Sequence, residues 1–147
     1  MKGMTVSDTL EKVEQIAKMA DIRGQRRGNL LGFLFSLQGG RDQLVYVGEL
    51  GETDEGMTVI CFFSPCQRLG SGFLKGLSKG DALNLLRLTA QMPFGHFCIM
   101  ELGGEELVCV RATQILETME VQEFQSHVTN VALAADAWEN KVGGDEF

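Results

Sequence analysis

Two histidines, two prolines, one tryptophan and one tyrosine are all of these residue types in a chain of 147. With only His96 and His127 present, a zinc site would depend on cysteine ligands. The four cysteines, Cys61, Cys66, Cys98 and Cys109, do not supply one, because no two of them are separated by just two residues, as in a zinc knuckle or a redox motif. Cys61 and Cys98 lie inside apolar runs, and Cys109 alternates with Val108 and Val110. Thiols in such settings behave as small hydrophobes. Neither a metal nor a cofactor is expected.

Positive charge is also scarce. Thirteen Lys and Arg stand against twenty Asp and Glu, a formal charge of -7. An acidic chain repels phosphate backbones unless its basic residues cluster. The one cluster is Arg23, Arg26 and Arg27. It reads as a solvated turn after a first helix, with a phosphate or acidic-partner contact as the alternative. No aromatic residue interleaves with it, so nucleic acid is not an expected partner. No apolar run reaches the roughly 18 residues that a membrane helix needs. Met1 to Asp8 lacks the basic-then-apolar layout of a secretory signal, so residence in the cytoplasm is expected.

The chain does hold 44% apolar and 22% charged residues, an ordinary globular balance. Residues 1–147 read as a single domain, without repeat or linker, and 142–147 as a frayed tail. Thr5 with Asp8 three residues on marks a helix start, and Leu10, Val13, Ala17 and Ala20 give it one apolar stripe. Three strands follow, at 31–37, 44–50 and 57–63, the last ended by Pro65. They are joined by Gly39-Gly40 and a polar turn at 52–56, as in an antiparallel meander. A second helix begins after Ser78 and stops before Pro93, with Leu83, Leu86 and Ala90 on one face and Leu85 and Leu88 beside it. Strands at 97–102 and 107–112 flank Gly103-Gly104.

The last helix, 120–142, carries the cleanest period. Phe124, Val128, Val131, Ala135, Trp138 and Val142 are three or four apart, a seam about 27 Å long at about 1.5 Å per residue. His127 lies off that seam and is expected to face solvent. The fold class is therefore α+β, an antiparallel sheet of about five strands with three helices in the order α-βββ-α-ββ-α.

Catalytic patterns are missing. No Gly-x-Ser-x-Gly elbow is present, and the glycines of Leu69-Gly70-Ser71-Gly72 are too close for one. Gly70 to Gly76 holds glycines and Lys75 but not the Walker spacing. Glu101, Glu105 and Glu106 surround a turn and read as a solvated tip.

Surfaces carry more information. The sheet has two faces, and Val45, Val47, Ile60 and Phe62 make the second one apolar. Either helices cover both sides or another chain does, because exposing such residues is unfavourable by about 25 cal/mol per Å². Dimerisation is the expected solution. The loop 66–77 holds Phe73, Leu74 and Leu77 among glycines, and a loop of that length without structure of its own is often functional. Phe73, Leu74, Leu77, Val45, Val47 and Phe62 are thus the candidate partner contacts. The alternative is a small-molecule site or an enzyme beside the loop, with Cys66, Arg68 and His96 as its polar residues.

The element order, with an amphipathic helix at each end, resembles that of type III secretion chaperones. The second half resembles the related YbjN family of bacterial proteins. The residues that carry this are Leu83-Asn84-Leu85-Leu86, Met92-Pro93-Phe94-Gly95-His96-Phe97, Glu106 to Ala112, and Phe124, Val128 to Ala132 and Ala135-Asp136-Ala137-Trp138. They span about residues 80 to 142. The resemblance implies a chaperone-like fold, usually dimeric, that binds an unfolded segment of another protein and brings no catalytic residues. A non-catalytic protein-binding module, chaperone-like or regulatory, is the expected function.

Overall fold

In the computed structural model, which describes residues 4–70, 76–143 and 147, Thr5 caps the first helix by a reciprocal pair of hydrogen bonds. Its hydroxyl accepts from the Asp8 amide and the Asp8 carboxylate accepts from the Thr5 amide, both at 3.1 Å. The helix α1 (Val6–Met19) then buries Leu10, Val13 and Ala17, the stripe that the spacing predicts.

Six strands make one antiparallel sheet: β1 (Gln25–Arg27), β2 (Leu30–Ser36), β3 (Asp42–Glu52), β4 (Thr58–Arg68), β5 (His96–Leu102) and β6 (Glu105–Ile115). Their order across the sheet is β1-β2-β3-β4-β6-β5. Helix α2 (Lys79–Gln91) sits between β4 and β5 in the chain, and α3 (Val121–Lys141) closes it. The described architecture is α+β with three helices, one strand richer than expected. The added strand is β1, which pairs Arg26 with Leu31. All three of its residues are exposed, so it has no apolar alternation to announce it.

Pro65 does not end its strand. β4 runs on to Arg68, and the pairing with β6 slips by one residue between Pro65 and Gln67. A bulge there suits a residue with no N–H to give the ladder.

The register sorts the sheet into two faces. Leu31, Phe33, Val45, Val47, Ile60, Phe62, Val110 and Ala112 share one. The α3 seam of Phe124, Val128, Val131, Ala135 and Trp138 is buried against it, and α1 lies alongside. Phe124 meets Phe33 edge-on at 5.6 Å and Phe62 at 5.8 Å. Val45, Val47, Ile60 and Phe62 are therefore shielded by the chain's own helices and have no exposure at all. This corrects the expectation that they need a second molecule: they are core, and Val45, Val47 and Phe62 are withdrawn as partner contacts.

His127 is corrected too. It is buried rather than solvent-facing, 5.0 Å from the Phe62 ring and 5.6 Å from the Phe94 ring, with Nε2 3.0 Å from the Gln114 side-chain oxygen.

The other sheet face carries Leu34, Leu44, Tyr46, Phe63, Cys98, Cys109 and Arg111. Tyr46 stacks on Phe63 at 5.3 Å and helps bury it.

Candidate binding groove

Helix α2 has five apolar positions within Leu83 to Ala90, too many for one stripe. The sheet takes one of them. Ser78 caps the helix by accepting from the Asp81 amide, and Thr89 ties it to β5 by accepting the Phe97 amide at 3.0 Å. That orientation turns Leu85 inward as the only buried residue of α2. Leu86 is left 69% exposed, with Leu83 and Leu88 partly exposed beside it. Next to them on the edge strand, Ile99 is 54% exposed.

Two cavities meet under this surface. One, of about 320 Å³, is walled by Leu77, Leu85, Leu86, Phe97, Ile99 and Val108. The other, of about 390 Å³, is walled by Leu88, Met92, Pro93, Phe97, Ala134 and Trp138. Phe97 is common to both, and its ring lies 6.0 Å from that of Trp138. Trp138 is fixed by donating Nε1–H to the Gln67 side chain at 2.8 Å, and the Lys141 ammonium lies over its ring. The result is an apolar groove between α2, β5 and the end of α3, made of two cavities on either side of Phe97. One side is the outer edge of β5, which has no neighbouring strand among the described residues and is capped at the Phe97 amide by Thr89.

Of the candidate contacts, Leu77 is half-buried in the wall of the first cavity. Phe73 and Leu74 lie outside the described residues. The groove residues that the sequence reading passed over are Phe97, Ile99 and Val108. Phe97 and Ile99 pair with Val110 and Val108 and so share the helix-side face, where α2 leaves Ile99 uncovered; alternation marks the strand but not where the helix cover ends.

The polar trio proposed for chemistry is not brought together. Cys66 is buried in the core and donates to the Val108 carbonyl at 3.3 Å. His96 stands opposite Arg111 on the other sheet face, where burial and that guanidinium hold its pKa down. Arg68 pairs with Glu105 on the surface. Burial pushes all four thiols upward, Cys61 to about 11 and Cys109 to about 12, so the thiolate is scarce at each near neutral pH.

No protein-family model and no curated protein matches this chain.

The arginine cluster divides. Arg26 binds Glu14 of α1 at 2.5 Å and reaches Ser7, while Arg23 and Arg27 flank Leu34 and Leu44 at a cavity of about 200 Å³. Among the described residues no group of three or more His, Cys, Asp or Glu is placed to hold a metal ion, and no helix is long and apolar enough to cross a membrane.

Proposed function

We propose that this chain is a non-catalytic protein-binding module of the cytoplasm, and that the groove between α2 and β5 captures an extended apolar segment of a partner protein. The segment pairs with the outer edge of β5 and places alternate side chains against Phe97, Ile99 and Leu86. The observation that carries this reading is the exposure of Leu86 and Ile99 on the wall of one apolar cavity, with a second apolar cavity across Phe97. A groove of this kind matches the peptide-capturing role implied by the resemblance to YbjN proteins and type III secretion chaperones.

Dimerisation belongs to the same reading, since a second copy offers the same apolar α2 surface in return. The test is a peptide array probed with the chain, its Ile99→Glu variant and its Leu86→Glu variant, alongside light scattering. Wild type is expected to bind a subset of extended apolar peptides, and both variants to lose that signal. A mass twice 16.1 kDa that falls to one chain in the variants would place a second copy in the groove. Wild type binding no peptide, and variants unchanged in mass, would defeat the proposal.

The cavity volumes favour a second reading. Each exceeds the roughly 300 Å³ at which small-molecule pockets begin. A small apolar ligand in these cavities would raise the melting temperature in a metabolite screen, and the rise would be absent in Phe97→Ala.

A further inference from the structure

Cys98 and Cys109 stand directly opposite each other on β5 and β6. Residues so placed in an antiparallel ladder point to the same face, with Cα atoms about 4.5–5.5 Å apart. That span lies inside the range of about 4.4–6.8 Å that a disulfide needs. Their Cβ atoms must close by up to about 1 Å from the usual cross-strand separation. β5 is an edge strand with β6 as its single strand neighbour among the described residues, so it can shift toward β6 without disturbing a further ladder.

We propose that Cys98 and Cys109 form a dithiol site, oxidised by hydroperoxides to a cross-strand disulfide that fastens the edge strand β5 to β6. The two thiols differ in access. Cys98 is partly exposed and Cys109 has no exposure. Cys98 is therefore attacked first. Its thiolate sulfur takes the outer oxygen of the hydroperoxide, an S–O bond forms and the O–O bond breaks. The peroxide is reduced by two electrons, and its remaining oxygen leaves as water or alcohol after taking the thiol proton. Cys109 then attacks the Cys98 sulfur. The S–S bond forms, the S–O bond breaks, and the hydroxyl leaves as water with the Cys109 proton. Two thiols and one hydroperoxide give one disulfide and, from hydrogen peroxide, two waters.

The geometry selects this pair over the other cysteines. Cys66 is buried among the helix-covered core residues and bonds to the Val108 carbonyl. Cys61 pairs with Thr113, four residues further along β6 than Cys109. Burial raises both thiols of the pair, while the Arg111 guanidinium pulls Cys98 back down, so oxidation is slow at neutral pH and quickens as pH rises.

The test uses the full chain treated with hydrogen peroxide and then unfolded in urea with a thiol reagent. Titratable thiols are expected to fall from four per chain to two. Peptide mapping should find the segments holding Cys98 and Cys109 joined, with the loss of two hydrogens. Cys98→Ser should keep three titratable thiols and form no internal disulfide, and Cys61→Ser should form the same link as wild type. Phenylarsine oxide, which bridges neighbouring thiols, gives a check that needs no variant. One equivalent should protect the pair from peroxide. All four thiols surviving, a link through Cys61 or Cys66, or Cys98 passing to the sulfinic acid with Cys109 free would each overturn the assignment.

Discussion

His127 sits between the rings of Phe62 and Phe94, and its Nδ1 is buried without a hydrogen-bond partner. Burial holds its pKa below the ordinary 6.5, against the opposing pull of Glu123 on the same helix. The sign of the pH effect follows. Below pH 6.5 the unfolded chain takes up a proton that the folded chain refuses, so stability falls with acid until the folded pKa is reached. The urea midpoint should be lower at pH 5.5 than at pH 7.5, and His127→Gln should narrow that gap. An unchanged gap would assign the acid sensitivity to other groups, His96 first, since its pKa is lowered as well. Phe62 marks the same region of the core. Its truncation to Ala should cost about 3–5 kcal/mol in denaturant unfolding, because the side chain is fully buried under α3. A cost under about 1 kcal/mol would return Phe62 to the surface. Gly95 adds a backbone constraint on the approach to β5. Its φ is +84°, and a Cβ there would stand 2.9 Å from the Arg111 carbonyl oxygen. Gly95→Ala should therefore destabilise by about 1–2 kcal/mol.

At the level of elements, α2 is held to the sheet by few contacts. Leu85 is inside while Leu83, Leu86 and Leu88 are not. Leu85→Ala should cost about 3 kcal/mol, whereas Leu86→Glu should leave the melting temperature nearly unchanged, a surface substitution being worth within about 0.5 kcal/mol. Equal losses in the two variants would mean that α2 is turned differently. This helix also shows what the sequence could convey. Where one stripe of apolar residues meets one surface, as in α1 and α3, the period named the buried residues, Val13 and Ala17 or Phe124 and Trp138. In α2 the leucines surround the helix, so the period named an element but not its orientation. Among the strands, alternation located β2 and β3 but did not say which face the helices take. That choice is made by packing of residues far apart in sequence, and it is why Val45, Val47 and Phe62 read as surface. The continuation of β4 past Pro65 was hidden for another reason: a bulge is a property of two paired strands, and Pro65 alone carries the message of a strand end.

Across the whole molecule, the three helices share one sheet face, so the fold has two layers and a single core reaching from Leu10 to Trp138. Its two chain halves are joined by polar contacts as well as by that core. Arg41, just ahead of β3, donates Nε–H to Asp136 of α3 at 2.7 Å and places a second nitrogen 3.5 Å from Glu139. Glu139 is 1% exposed, and its other oxygen accepts the Phe147 amide at 3.1 Å. A carboxylate that deep is tolerated only with compensating charge and hydrogen bonds. Removing the guanidinium weakens that compensation, so Arg41→Ala should destabilise the chain by about 3 kcal/mol. Glu139→Gln alone should cost less, because it removes the charge that needs compensation. The double variant should then unfold at less than the sum of the two costs, since the partner charge is gone when the arginine is lost. Denaturant unfolding of the four proteins measures that coupling. Strict additivity would show that Arg41 stabilises the fold through Asp136 and its stem packing, and that the helix-to-sheet tie does not run through the buried glutamate.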